Sequence, residues 1–226
     1  MPSVIMSAKS NDFVEQTPDE KLSAVSSDLS VPLIHDVVTA AYDPHVNSLS
    51  NFAPLGSKGT ELQMRATEYL RDYLCALGWR MSNAEQVPCV FNCADNVRIA
   101  CSTDGGPYVG IDNPTSPTLR EKGRGTIRLA GHKTNGILQL PGFEDSFQDD
   151  ELEKLDDLDF YYLLMFIDEA HEEIRLELSS PIFDEKGMTQ GWNTRIVLPP
   201  ISISSEPLVD TKSVPAPKIS VVRKVS

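Results

Sequence analysis

The sequence predicts an α+β protein, in which two N-terminal helices pack on a mostly antiparallel sheet of about five strands, with disordered termini. Apolar residues recur at helical spacing in the first third of the chain, and alternating or continuous apolar runs follow. The two ends of the chain show neither the helical period of about 3.6 residues nor the strand period of about 2 residues, so they are expected to be disordered. The predicted boundaries are a disordered segment 1–30, a single domain 31–203 and a flexible Pro/Ser-rich basic tail 204–226.

Two helices are predicted at the start of the domain. The first covers Leu33–Ala41, where apolar residues line one face and Pro32 suits the first turn. The second begins at Thr60, which forms a capping box with Gln63, and ends before Gly78, which favours a left-handed C-cap.

Strands are predicted from period-2 alternation and from continuous apolar runs. Arg98 alternates with apolar neighbours, so its strand is expected to be half-buried. Arg175 and Glu177 are expected to point outward, and Pro199-Pro200 is expected to end the last strand. The predicted strands are Val87–Phe91, Asn96–Ser102, a hairpin of Thr126–Ala130 with Ile137–Leu140, Phe160–Ile167, Glu173–Ser179 and Thr194–Leu198.

The net charge and the hydropathy of the sequence favour a protein partner over a nucleic acid or a membrane. The 226 residues include 33 acidic and 20 basic side chains, for a net charge of -13. Phosphate backbones repel a chain this acidic unless its basic residues gather on one face, so nucleic acid is a less favoured partner than protein. No apolar run reaches the roughly 20 residues that a membrane span requires. No targeting signal is visible either, so we expect a protein that does not enter a membrane and that is cytoplasmic, or nuclear in a eukaryote.

The four cysteines and four histidines form no metal-binding motif. Cys75 lies on the apolar side of the second predicted helix, where a free cysteine packs as a small hydrophobe. A metal-binding or disulfide cluster of Cys89, Cys93 and Cys101 is a less favoured alternative. His171 falls in a predicted hairpin turn.

The second predicted helix, followed by Gly78-Trp79, resembles the opening helix of metal-dependent nucleases of the restriction-endonuclease type. That resemblance implies a Mg²⁺ site that activates water, with Glu61 or Glu68 as the helix acid. It also implies an acid at a strand end, for which Asp95 and Asp104 are the candidates.

The chain departs from the nuclease pattern in its later part. No Glu-x-Lys lies on a predicted strand, and the nearest match, Asp184-Glu185-Lys186, falls in a predicted turn. The alternative interpretation is an amphipathic core helix whose acidic side chains are solvated.

Basic residues cluster in and near the long loop after the second strand. They are candidates for a phosphate-binding face, and Lys122 would also belong to a nuclease site. The alternative is that they balance the acidic stretch 144–159, which is itself either solvated or a contact for a basic partner. These candidates are Arg98, Lys122, Arg124, Arg128 and Lys133.

The sequence therefore favours a non-catalytic protein-binding or scaffold module, without a cofactor and with an unidentified protein partner. The alternative is a nucleic-acid-processing protein related to the restriction-endonuclease-like nucleases, using Mg²⁺ or carrying a degenerate site. The sequence does not decide whether the protein is an enzyme.

Overall fold

The structure is a computed structural model that describes residues 16–50, 52–111, 126–127, 158–184 and 187–203. Three α-helices precede six strands in this part of the chain, which confirms the α+β prediction. The helices are α1 (Pro18–Val25), α2 (Val31–Ala41) and α3 (Ser57–Ala76), and the strands are β1 (Arg80–Ser82), β2 (Cys89–Asn92), β3 (Val97–Ser102), β4 (Asp159–Asp168), β5 (Glu173–Phe183) and β6 (Thr189–Ser202).

Helix α1 lies inside the segment expected to be disordered, so that expectation is wrong for residues 18–30. Thr17 and Glu20 form a capping box at its start, and Pro18 occupies the first turn. Leu22 and Leu29 are fully buried against the other helices and the sheet. The scattered apolar residues of this segment lack a helical period because a helix of only two turns buries few side chains.

Helix α3 begins three residues before the predicted cap. Its N-cap is Gly56, with φ +83° and no side-chain cap, so the capping box of Thr60 and Gln63 does not form. The predicted end is confirmed: Gly78 has φ +98°, and its N–H donates to the carbonyl of Cys75. The N–H of Trp79 then donates to the carbonyl of Leu74, which completes a Schellman motif.

The sheet has the order β1-β2-β3-β4-β5-β6. Strands β3 and β4 pair in parallel, with Val97 opposite Asp159, and every other pair is antiparallel. The long connection between β3 and β4 is therefore a crossover. In this connection Thr126 and Ile127 are helical rather than extended, and the rest of the predicted hairpin lies outside the described residues.

Both faces of the central strands are buried, which corrects the expected half-burial of β3. The helices cover one face, here called the helix face, where Ile99, Leu163 and Leu176 join the main apolar core. The opposite face carries a second cluster that includes Ala100 and Tyr162. All six residues of β3 are consequently buried.

Strand β6 continues through Pro199-Pro200 to Ser202, so the expected end at these prolines is wrong. The register with β5 shifts between Leu176–Leu198 and Ile174–Ile201, which inserts an extra residue on β6 at the prolines. This bulge accommodates residues that cannot donate to the ladder, and β6 lies at the sheet edge, where proline is tolerated.

No helix in the described part of the chain combines the length and the apolar character needed to cross a membrane. The acidic residues 144–157 and the tail 204–226 lie outside the described residues.

Candidate functional site

The acids of the nuclease hypothesis on α3 are engaged with a neighbouring arginine. Glu61 accepts a hydrogen bond from Nε of Arg65 at 2.9 Å, and Glu68 accepts one from its Nη1 at 2.8 Å. Arg65 lies four residues after Glu61 and three residues before Glu68, so the three side chains are neighbours on the exposed side of the helix. This is the arrangement expected of a solvated helix face.

The two strand-end candidates lie at opposite ends of β3. Asp95 precedes the strand and accepts hydrogen bonds from Ser26 Oγ at 2.6 Å and Asn92 Nδ2 at 3.1 Å. Asp104 follows the strand at its other end. Six extended residues separate them by about 20 Å, which is too far for one shared metal ion.

The basic candidates are placed only in part. Arg98 is fully buried on the opposite face, with its guanidinium 5.6 Å from the centre of the Phe160 ring. It is therefore not on a phosphate-accessible surface. Lys122, Arg124, Arg128 and Lys133 lie outside the described residues.

Metal ligands and reactive thiols do not assemble in the described part of the chain. No group of three or more His, Cys, Asp or Glu side chains there is arranged to hold a metal ion, so the Mg²⁺ alternative stays a prediction. Cys101 is on the helix face and Cys89 on the opposite face, while Cys93 is exposed. Burial raises the pKa of the Cys101 thiol to about 12 and also raises that of Cys89, so both are protonated at neutral pH.

A cluster that the sequence did not reveal lies at the β4–β5 turn. Nδ1 of His171 is 2.8 Å from Oδ2 of Asp168, and Arg175 donates to the same oxygen. The other carboxylate oxygen accepts from the backbone N–H groups of Ala170 and His171. Burial alone would raise the pKa of Asp168. The hydrogen bonds from His171 and Arg175 outweigh the effect of burial and lower this pKa to about 2.

This cluster borders a cleft of 280 Å³ that is lined by the β4–β5 turn, the start of β5, the chain after β3 and Pro200 of β6. An Asp–His pair supplies two of the three members of a catalytic triad, and the third is a hydroxyl or thiol that contacts the second imidazole nitrogen. No such contact to His171 occurs among the described residues. The lining residues are Gly110, Ile111, His171, Glu173, Arg175 and Pro200.

A buried ion pair fixes the loop of residues 106–111 on the opposite face. Glu177 is 1% exposed and accepts hydrogen bonds from Arg195 at 2.7 and 3.0 Å. It also accepts from the N–H of Gly110 at 3.0 Å, while Arg195 donates to the carbonyl of Ile111 at 2.8 Å. Because Glu177 and Arg175 point into this covered face, the expectation that they face solvent is wrong.

Two large apolar side chains stand in solvent in the loop before α3, here called the 52–56 loop. Phe52 is 97% exposed and Leu55 is fully exposed. Their backbone is nevertheless held by turns. The N–H of Phe52 donates to Ser50 Oγ, that of Ala53 to the Ser50 carbonyl, and that of Ser57 to the Pro54 carbonyl. Periodicity does not detect exposed apolar residues in a loop. The presence of two large apolar side chains in a Ser/Pro/Gly-rich loop could nevertheless have indicated a binding surface.

Comparisons with protein-family models, with curated proteins and with solved structures found no match for this chain. The resemblance to restriction-endonuclease-type nucleases therefore stays a prediction that rests on the residues of the sequence.

Proposed function

We propose that the protein is a non-catalytic protein-binding module that engages its partner through Phe52 and Leu55. The observation that carries this proposal is the near-complete exposure of both side chains on a hydrogen-bonded loop. Single exposed apolar residues are common on protein surfaces. Two of them within four residues, each outside the core, form a compact apolar feature that suits an interface.

The turns of the 52–56 loop support a binding role because they limit the ordering cost of association. A loop whose backbone is already hydrogen-bonded loses less conformational freedom when its side chains enter a partner's pocket. Large apolar and aromatic side chains in such pockets contribute much of the affinity of protein interfaces. Phe52 and Leu55 have the size and chemistry of such anchors.

The positions of the acidic candidates support a binding module over a nuclease. Glu61 and Glu68 are paired with Arg65, and β3 separates Asp95 from Asp104. We also propose a cytoplasmic location, which the four free cysteines support because reduced thiols are typical of that compartment.

The proposal is tested by affinity capture with the tagged full chain from a lysate of the source cells, with and without nuclease treatment. We expect a protein that the native chain retains and that the Phe52→Ser/Leu55→Ser variant loses by at least about tenfold. The matched control is Met64→Ser/Met81→Ser, since these two methionines are 60% and 64% exposed elsewhere on the surface. The control should retain the partner.

Identical protein sets on the native chain and on the Phe52→Ser/Leu55→Ser variant would overturn the proposal. So would recovery that disappears after nuclease treatment, and Mg²⁺-dependent cleavage assays with Glu61→Ala would then be the next step.

A further inference from the structure

The 52–56 loop belongs to one end of the molecule, where three distant parts of the chain meet. Lys58, in the first turn of α3, forms an ion pair with Glu169 of the β4–β5 turn. The Thr103 hydroxyl donates to the carbonyl of Gly59 at 3.4 Å, which ties the end of β3 to the same helix start. Loop 106–111 joins through Arg175, which donates to the Pro107 carbonyl at 3.0 Å.

Negative charge predominates at this end. The turn Tyr42–Val46 lies at this end too, since Tyr42 interacts with Lys58 and Glu169. Together with this turn, the joined segments contribute six carboxylates but only two lysine or arginine side chains, Lys58 and Arg175. Both cations are already engaged, Lys58 with Glu169 and Arg175 with Asp168. Asp43, Glu169 and Glu172 are exposed. The carboxylates are Asp43, Asp104, Asp168, Glu169, Glu172 and Glu173.

We infer that the partner of the 52–56 loop is a protein segment whose apolar side chains are flanked by lysine or arginine. This inference rests on the proposed function and adds the chemistry of the partner. Apolar contacts to Phe52 and Leu55 would supply affinity, while the surrounding carboxylates attract and orient a cationic segment.

The same negative charges argue against three other partners for the exposed apolar loop: a second copy of this chain, an anionic membrane and a nucleic acid. A second copy would bring a second acidic end, and each chain carries a net charge of -13. Anionic lipid headgroups and nucleic-acid phosphates would be repelled for the same reason. A basic protein segment is the occupant whose charge complements this surface.

The inference is tested by panning a displayed library of random peptides against the immobilised full chain. We expect the selected peptides to combine Leu, Phe or Trp with a net positive charge. Their affinity should fall as salt is raised from about 0.05 M to about 0.5 M, because exposed charges are screened over this range.

Matched variants separate the contribution of charge from that of the apolar anchors. Asp43→Asn/Glu169→Gln should weaken the selected peptides about two- to tenfold, as expected for two exposed charge contacts. Glu61→Gln/Glu68→Gln makes the same change in net charge on α3 and should leave peptide affinity unchanged.

The outcomes distinguish failure of the inference from failure of the proposed function. Selected peptides that need Phe52 and Leu55 but carry no excess of basic residues would overturn the inference alone. Peptides that bind the Phe52→Ser/Leu55→Ser variant as tightly as the native chain would overturn the proposed function as well. Binding to vesicles of anionic lipid that depends on these two residues would overturn the inference in favour of a membrane surface.

Discussion

The helix face of the sheet buries uncharged side chains such as Leu163 and Leu176, whereas the opposite face buries Arg98 and the ion pair of Glu177 with Arg195. The helices pack apolar side chains against the helix face, so the side chains buried there need no hydrogen bonds or ion pairs. The opposite face is covered in part by loop 106–111, whose backbone requires hydrogen-bond partners. Buried charges on this face satisfy that requirement, and the two faces should therefore respond differently to substitution.

The largest effect is expected on the opposite face, for Arg195→Met. The change leaves the carboxylate of Glu177, which is 1% exposed, without the guanidinium that donates two hydrogen bonds to it. Leaving one charge of a buried pair uncompensated costs about 3–5 kcal/mol. Urea unfolding should show this loss in the free energy of unfolding.

The double variant Glu177→Leu/Arg195→Met is the control for this prediction. It removes both charges, so it should recover the part of the loss that comes from the uncompensated carboxylate. The remaining loss reflects the Gly110 N–H and the Ile111 carbonyl, which lose their hydrogen-bond partners in the double variant. A single-variant loss below about 1 kcal/mol, as for an exposed pair, would contradict the view that this face is held by buried charge.

On the helix face, Leu176→Ala should lower the free energy of unfolding by about 2–5 kcal/mol. Leu176 is fully buried in the main core, and the truncation leaves a cavity that the neighbouring strands and helices fill only in part. Leu77→Ala is the matched change at an exposed position, and it should alter stability by no more than about 0.5 kcal/mol. Equal losses for the two variants would show that the helix face is not a packed core.

Parts of this two-faced arrangement were predictable from the sequence because they depend on local pattern. The end of α3 at Gly78 follows from glycine chemistry, and the buried run in β4 follows from its continuous apolar character. Alternation correctly assigned Leu176 to the core. It could not assign Glu177, because period 2 separates two faces without revealing that a distant loop covers the second.

The candidate site was less predictable than the fold. Asp168, His171 and Arg175 converge only once a hairpin turn and two strands are formed. Asp95 and Asp104 are close in sequence, yet an extended strand holds them apart. Phe52 and Leu55 lie in a loop, where no period indicates which side chains are exposed.

A smaller effect is expected where the 106–111 loop approaches the sheet. Gly110 has φ +69°, and a Cβ atom there would lie 2.9 Å from Cβ of Arg175 and 3.2 Å from the backbone nitrogen of Leu176. Gly110→Ala should therefore cost about 1–3 kcal/mol in urea unfolding. Gly191→Ala places its Cβ in open space and serves as the control, with a change within about 0.5 kcal/mol. Similar results for the two variants would mean that the loop does not pack closely on β5.

The smallest effect at neutral pH concerns Asp168, at the border between the opposite face and the β4–β5 turn. Its folded-state pKa of about 2 is below the ordinary value of 3.8, because the hydrogen bonds from His171 and Arg175 outweigh the effect of burial. A carboxyl group with a lowered folded-state pKa contributes stability above its unfolded-state pKa and loses that contribution as pH falls through the folded-state pKa.

Asp168 should therefore add a component to the free energy of unfolding that disappears between about pH 4 and about pH 2. Urea unfolding of the native chain and of Asp168→Asn across this range isolates the component as the difference between the two curves. The curves should be separated at pH 5 by about the same amount as at neutral pH, and they should converge in acid. A constant separation down to about pH 2 would mean that the ionised carboxylate is not what holds the turn, and that His171 and Arg175 are placed by the strands alone.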